Sequence, residues 1–226
     1  CAAANRTVAI GATISLMSAR MRRRSALACI LGALLLCAAP SAQTRLGISR
    51  ADWGTTVRGE KVAIYTLVGA GGLEARISNF GGVVVIVNVP NRNGSKTDVM
   101  LGYDDLASYE KGGVYGAVIG RYANRIGNNG TFLLDGKTIQ LERTSPEQKI
   151  VIHGGTAGFH KKVWHAEMHD GPEPSLELTS VSPDGDGGFP GVLTTTLIYT
   201  VTRDNALRLD YRAVSDRPTV VNLTNH

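Results

Sequence analysis

Hydrophobic and β-branched residues occur along this chain in short runs that turn residues interrupt. The run Lys61–Val68 combines β-branched and aromatic side chains, a composition that favours a strand. The continuous apolar run 83–89 is typical of a strand that is buried on both faces. Apolar and polar residues alternate at period two in 194–202 and again in 206–214, which predicts a hairpin. The dominant pattern therefore predicts strands.

A second hairpin is predicted within 131–141, where Asp135-Gly136 separates two short strand patterns. Only 104–110 could form a short helix, because glycines follow it directly. Many short strands and 27 glycines predict an all-β domain, an antiparallel sandwich or barrel. We place this domain at 43–226. Since the sequence stops at His226 directly after a strand pattern, we expect the domain to be incomplete at its C-terminus.

The first 42 residues have the plan of a targeting segment. Three arginines follow Met21, the stretch 26–39 is apolar and carries no charge, and small residues occupy much of 38–42. This order predicts a secretory signal peptide that is cleaved near Ala42. The uncharged stretch is short for a bilayer span, so we expect no membrane partner after cleavage. The remaining domain is expected in a bacterial periplasm or the extracellular medium.

The charge of the chain is unevenly placed. Of the 24 lysines and arginines, five arginines lie in residues 1–42 together with none of the 19 acids. The rest of the chain thus has as many basic as acidic side chains, which argues against a nucleic-acid partner. All three cysteines also precede residue 43, so the predicted domain has no disulfide framework and no cysteine nucleophile.

The histidines are the first candidates for chemistry, and the five are His153, His160, His165, His169 and His226. Their spacing does not fit a helical metal site and no cysteine can assist, so no metal site is predicted. We interpret His160, His165 and His169 as solvated loop residues. His153 follows an apolar run and precedes two glycines, where the backbone can turn sharply. A ring at that position could serve a site or be structural.

The segment 120–126 is a second candidate, because Asn124 and Arg125 offer several hydrogen-bond donors in fixed directions. Such groups suit a polyhydroxylated ligand. In an extended strand these two neighbours would point to opposite faces, unless a turn or a bulge brings both to one pocket. Surface salt bridges are the alternative interpretation.

Seven segments, taken in order, resemble motifs of the aldose 1-epimerase family, also called galactose mutarotases. They are DVMLGY (98–103), GAVIGRYANRI (116–126), FLLDGK (132–137), HGG (153–155), GFHKKVW (158–164), SPDG with FPG (182–191) and TVVNLTNH (219–226). The resemblance covers roughly 55–226. It implies a large antiparallel β-sandwich of the galactose mutarotase type.

The resemblance also implies a reaction, the interconversion of α and β anomers of free hexoses such as galactose and glucose without a cofactor. In this family a glutamate takes the proton of the C1 hydroxyl while a histidine protonates the ring oxygen. By motif, His226 matches that acid, and His153 matches a second histidine that contacts the sugar near the ring oxygen. Asn124 and Arg125 match the substrate-binding pair. We leave Arg121 as a structural residue.

The family's base glutamate has no match in this chain, and neither Glu142 nor Glu147 falls in a matching motif. We therefore expect the 226-residue chain by itself to be nearly inactive. The alternative is a non-catalytic carbohydrate-binding module on the same fold, which would not need an acid histidine. A sugar-phosphate epimerase is less favoured, because the balanced charge of 43–226 gives no sign of extra basic residues around a pocket. The sequence does not indicate an oligomeric state.

Overall fold

The computed structural model describes residues 8–9 and 45–226. The predicted signal peptide falls outside the described residues, and the predicted domain boundary at 42/43 stays a prediction. Sixteen strands occur in this described part, and they are β1 Val8–Ala9, β2 Gly47–Thr55, β3 Lys61–Val68, β4 Glu74–Ser78, β5 Val84–Pro90, β6 Lys96–Asp98, β7 Val118–Ile119, β8 Arg125–Ile126, β9 Thr131–Leu134, β10 Lys137–Gln140, β11 Val151–Ile152, β12 His165–His169, β13 Ser175–Ser182, β14 Leu193–Val201, β15 Leu207–Ser215 and β16 Thr224–Asn225.

The helical content of the described residues is small. One α-helix, α1, spans Leu106–Glu110, and the Asp105 side chain caps it by accepting from the backbone N–H of Ser108. Four single 3₁₀ turns span Asn128–Gly130, Gly155–Ala157, Phe159–Lys161 and Asp186–Gly188. Among the described residues, no helix has the length and apolarity needed to cross a membrane.

The fold is built mainly from two five-stranded antiparallel sheets. One has the strand order β2-β3-β4-β5-β6, and the other has the order β1-β15-β14-β13-β12. The predicted strand Lys61–Val68 is confirmed as β3, and the hairpin predicted from alternation is β14–β15, which pairs Leu197 with Tyr211. The Asp135-Gly136 hairpin is also confirmed, as β9–β10. The all-β prediction therefore holds.

The main core lies between the two sheets, as expected for a sandwich. Leu67 and Ile77 come from the first sheet, whereas Leu178 and Tyr199 come from the second, and all four are fully buried. The Tyr199 hydroxyl donates to the Gly82 carbonyl oxygen at 2.5 Å and so links the sheets. Burial of this tyrosine raises its pKa, which keeps the hydroxyl a donor.

Strand β5 matches the prediction of a strand buried on both faces over its first half. Val84 packs in the main core, while Val85 belongs to a second cluster with Leu106 and Tyr109 of α1. The last three residues of β5 are only half-buried, and they pair with the short, exposed edge strand β6. The prediction therefore holds for part of the run.

Two small ladders outside the large sheets hold the segments that the sequence analysis singled out. Strands β8 and β11 pair Arg125 with Ile152, so the segments that contain Asn124 and His153 lie side by side. Strands β7 and β16 pair Ile119 with Thr224, which brings the chain toward His226 beside the same region.

Candidate active site

The two histidines that the resemblance singles out lie next to each other. The ring centroids of His153 and His226 are 5.1 Å apart, and the rings meet edge to face at 85°. His153 follows β11, and His226 follows β16. The backbone N–H of His226 donates to the carbonyl oxygen of Ala117 at 2.8 Å, while its own carbonyl accepts from Gly116 at 2.7 Å. The backbone therefore holds His226 in place.

Asn124 and His153 hold each other through two hydrogen bonds. The backbone N–H of His153 donates to the carbonyl oxygen of Asn124 at 2.9 Å, and the backbone N–H of Asn124 donates to His153 Nδ1 at 3.1 Å. Because Nδ1 accepts this bond, the proton of the neutral imidazole lies on Nε2. His153 can therefore donate a hydrogen bond from Nε2.

Asn124 and Arg125 are brought together by a turn. Asn124 has φ 66°, in the left-handed region that asparagine tolerates better than most residues. The chain therefore bends, and the Arg125 guanidinium donates to Asn124 Oδ1 at 2.6 Å. Of the two arrangements left open by the sequence, the structure has the turn. Both side chains remain exposed.

The electrostatics keep His153 neutral. Partial burial lowers the pKa of His153, and the nearby His226 and Arg125 lower this pKa further because positive charge disfavours a second cation. At neutral pH the ring is therefore a hydrogen-bond donor at Nε2 rather than a cation.

A cleft of about 170 Å³ opens beside His153. Its lining residues are Val114, Glu142, Thr144, Gln148, Val151, Ile152, His153, Gly155, His160 and Lys161. Of the predicted site residues, only His153 lines this cleft, and Asn124, Arg125 and His226 lie outside its lining. Glu142, which the sequence analysis sets aside as the base because it falls in no matching motif, and His160, which it interprets as a solvated loop residue, both line the cleft.

The interpretation of His160 as a solvated loop residue is wrong. It is 8% exposed, in the 3₁₀ turn Phe159–Lys161, and its Nδ1 has no hydrogen-bond partner. Burial lowers the pKa of His160 to about 4, with smaller contributions from Lys161, His153 and His226. His165 and His169 are exposed as expected, but they lie on the edge strand β12 rather than in a loop. The aromatic neighbour Phe159 is the sequence signal that could have indicated burial.

Arg121 supports the segment that carries Asn124. It is 1% exposed, and its guanidinium donates to Ser182 Oγ and to the carbonyl oxygens of Ser182, Pro183 and Pro190 at 2.7–3.0 Å. Its charge also lies over the Phe189 ring, 5.8 Å from the centroid. These contacts satisfy the buried donors of Arg121 and join the 120–126 segment to residues 182–190, which fits a structural role.

Metal ligands do not gather at this site. Among residues 8–9 and 45–226, no three histidine, cysteine, aspartate or glutamate side chains are arranged to hold a metal ion. Asp184 serves the 182–191 turn itself, since its Oδ1 accepts from the backbone N–H of Gly191 at 2.6 Å, while Asp186 pairs with the Lys162 ammonium.

Comparison with known proteins gives the same family throughout. Over 155 residues the chain is 39% identical to galactose mutarotase of Bos taurus, covering 68% of this chain and 43% of that protein. Over 170 residues it is 36% identical to aldose 1-epimerase of Escherichia coli K12, covering 74% and 47% respectively. The chain thus spans less than half the length of these two relatives.

Solved structures agree with the fold. The galactose 1-epimerase of Lactobacillus acidophilus matches with a TM-score of 0.70 and 25% identity, over 80% of this chain and 52% of that one. An aldose epimerase homologue from C. elegans matches with a TM-score of 0.64 and 31% identity, over 71% and 48%. The sequence model of the aldose 1-epimerase family matches residues 63–226. This chain therefore belongs to the aldose 1-epimerase family.

Proposed function

We propose that this protein is an aldose 1-epimerase that interconverts the α and β anomers of galactose and glucose. The observation that carries the proposal is the edge-to-face pair of His153 and His226, at the positions that match the family's two histidines. Asn124 and Arg125 lie beside this pair and supply hydrogen-bond donors for sugar hydroxyls. The partner is a free aldose, a small neutral molecule.

The proposed reaction moves two protons and breaks one bond. A base takes the proton of the C1 hydroxyl, the C1–O5 bond breaks as the C1 carbonyl forms, and His226 gives its proton to O5. Rotation about C1–C2 and the same steps in reverse close the ring as the other anomer. An imidazole suits the acid role because its pKa lies near the working pH. His153 donates from Nε2 near O5 and orients the ring oxygen toward His226.

The proposal assigns the base to a glutamate in the part of the family's length that this chain does not span. Among the described residues, the histidines that pair with a carboxylate are His165 and His169, at 3.3 and 3.8 Å, and both lie away from the site on β12. General acid and base groups each contribute roughly 10² to 10⁴ in rate. We therefore propose that the 226-residue chain alone accelerates mutarotation only weakly.

A carbohydrate-binding module is the second candidate. The exposure of Asn124 and Arg125 favours it, because polar groups at an open surface can bind a sugar without performing chemistry on it. A module of this kind has no need for an acid, so the role of His226 separates the two candidates.

Polarimetry tests the proposed function directly. Freshly dissolved α-D-galactose or α-D-glucose is followed with the protein expressed from its complete reading frame and with its His226→Asn variant. We expect fast mutarotation by the former and a rate lower by roughly 10² to 10⁴ in the variant. His169→Asn changes an exposed histidine on β12 and serves as the matched control, with an unchanged rate. Sugar binding with only the spontaneous rate of mutarotation would instead support the binding module.

Export is proposed separately, on the leader pattern of residues 1–42. Fractionation of a bacterial host, followed by N-terminal mass analysis, tests it. A protein that begins near residue 43 and is released with the periplasm is the expected result. A cytoplasmic protein that retains the leader would contradict it.

A further inference from the structure

The cleft beside His153 has a polar wall that the proposed acid–base chemistry does not use. Val114, Val151 and Ile152 make one part of the lining apolar. Glu142 and His160 contribute a carboxylate and an imidazole to the same lining. A small cavity with a few convergent polar groups is the usual form of a binding site for a small polar molecule.

His160 is held rigidly at this wall. The backbone N–H of Phe159 donates to the Gly120 carbonyl at 3.3 Å, and the backbone N–H of Gly81 donates to the carbonyl of Lys162 at 2.8 Å. A Cβ on Gly81 would lie 2.7 Å from the carbonyl oxygen of His160, so the two backbones are in direct contact. The backbone that carries the imidazole is therefore held by its own turn and by two neighbouring segments.

The surroundings of the His160 ring identify which edge can bind a ligand. A Cβ on Gly158 would lie 2.4 Å from His160 Cε1 and 2.8 Å from Nδ1, so this edge packs against Gly158. Nδ1 is buried without a partner. An unpaired lone pair there costs less than an unpaired N–H, so the neutral ring has its proton on Nε2. The Nε2 edge is the one left to face the cleft and donate.

Glu142 supplies the complementary acceptor. Its Oε2 accepts from the Thr156 hydroxyl at 2.7 Å, which orients the carboxylate. The other oxygen is available to accept from a ligand. A sugar hydroxyl both donates and accepts, so one donor and one acceptor lining the same cleft match a polyhydroxylated molecule.

We propose that Glu142 and His160 form a subsite for the aldose hydroxyl groups that lie away from the anomeric carbon. The inference rests on the proposed function, in which His153 and His226 take the ring-oxygen side of the same sugar. His153 lines this cleft and its ring meets that of His226, so one aldose can extend from the histidine pair to Glu142 and His160. Glu142 and His160 then determine which aldose binds well, and they take no proton in the reaction.

Steady-state polarimetry of the protein from its complete reading frame tests the subsite. Glu142→Gln and His160→Asn each remove the proposed contact, the latter because its amide reaches only the Nδ1 position. We expect the KM for galactose or glucose to rise roughly tenfold or more in each, with a much smaller change in kcat. His160→Gln, whose amide reaches the Nε2 position, should recover part of the loss. The matched controls Glu167→Gln and His169→Asn lie on β12 and should leave both constants unchanged.

Deoxy sugars show which aldose hydroxyl contacts Glu142. For one deoxy-aldose, the increase in KM caused by Glu142→Gln and the increase caused by removing the sugar hydroxyl should not add, because both changes remove the same contact. The subsite would be overturned if the two effects on KM added for every deoxy-aldose. It would also be overturned if the variants lowered kcat and thermal stability together and left KM unchanged.

A second test needs no variants: ¹⁵N NMR of the unaltered protein measures the chemical shifts of the imidazole nitrogens. Added D-galactose should shift the Nε2 signals of both His160 and His153. A shift of His153 alone, with normal mutarotation, overturns the subsite and leaves the proposed function standing. If neither signal moves and mutarotation stays at the spontaneous rate, both proposals fail.

Discussion

Replacing the buried His160 with glutamine should remove most of the acid sensitivity of folding stability between pH 7 and pH 5. In the folded protein, burial holds the pKa of His160 at about 4, below the 6.5 expected for an accessible histidine. The positive charge of Lys161 and the nearby His153 and His226 act in the same direction. Glu142 lines the same cleft, yet it does not reverse the effect of burial.

The sign of the effect follows from which state binds the proton. Between pH 6.5 and about pH 4 the unfolded chain protonates His160 while the folded protein does not, so a fall in pH over this range favours unfolding. The stabilising effect of the neutral ring is therefore complete above about pH 7 and is lost as the pH falls toward 4. The difference between 6.5 and about 4, at 1.36 kcal/mol for each pKa unit, corresponds to roughly 3 kcal/mol in total. About 2 kcal/mol of this is lost by pH 5.

Urea unfolding at pH 7.5, 6 and 5 measures this slope, with the fluorescence of Trp164 as the signal, since this side chain is buried in the main core. The unaltered protein should lose about 2 kcal/mol more stability than His160→Gln between the highest and the lowest pH. His153, whose pKa is also lowered by burial, keeps a residual slope of the same sign in both proteins. His169→Gln is the control and should retain the full slope. An equal slope in His160→Gln and the unaltered protein would refute the assignment of a buried neutral imidazole.

Two further substitutions test the contacts that hold the backbone around the candidate site. Arg121→Met removes the donors of four hydrogen bonds made by a buried guanidinium and should lower the free energy of unfolding by about 3 kcal/mol or more. A loss below about 1 kcal/mol would contradict the structural role of Arg121. Gly154→Ala should be more damaging than Gly136→Ala, as thermal unfolding can measure. Both glycines have positive φ, at 81° and 76°, but a Cβ on Gly154 would lie 2.0 Å from the Gly120 carbonyl oxygen, while nothing lies within 4 Å at Gly136. Gly136→Ala should cost only about 1–2 kcal/mol, and equal losses would refute the steric argument.

The strands that could be predicted are those whose own residues carry the pattern. Strand β3 is rich in β-branched residues, and β14 and β15 alternate, so their sequences predict them without reference to a partner. Strand β2 was missed because most of its residues are exposed and it contains two glycines. Its pairing with β3, through a bulge between Asp52 and Gly54, defines it as a strand. A strand whose residues are mostly exposed lacks the apolar pattern from which a strand is predicted.

The residues of the candidate site could be predicted where they fall in motifs that resemble those of the family. The resemblance pointed to His153 and His226, and the structure brings their rings together. The burial of His160 could not be read from the sequence, because it depends on contact with Gly81 and Gly120, which are distant along the chain. For the same reason, the place of Glu142 in the cleft follows from how the Gly155–Ala157 turn presents Thr156 to its carboxylate.

The backbone of the site also explains why Asn124 and His153 occur as neighbours. Both have positive φ, at 66° and 54°, a conformation that costs on the order of 1 kcal/mol or more for each residue. Each residue donates its backbone N–H to the other, and one of these bonds ends on His153 Nδ1. The contact that stabilises the two strained residues therefore also sets the tautomer of the imidazole. Because Nδ1 is already an acceptor, Nε2 carries the proton of the neutral ring, so the two strained residues together leave His153 with one hydrogen-bond donor, at Nε2.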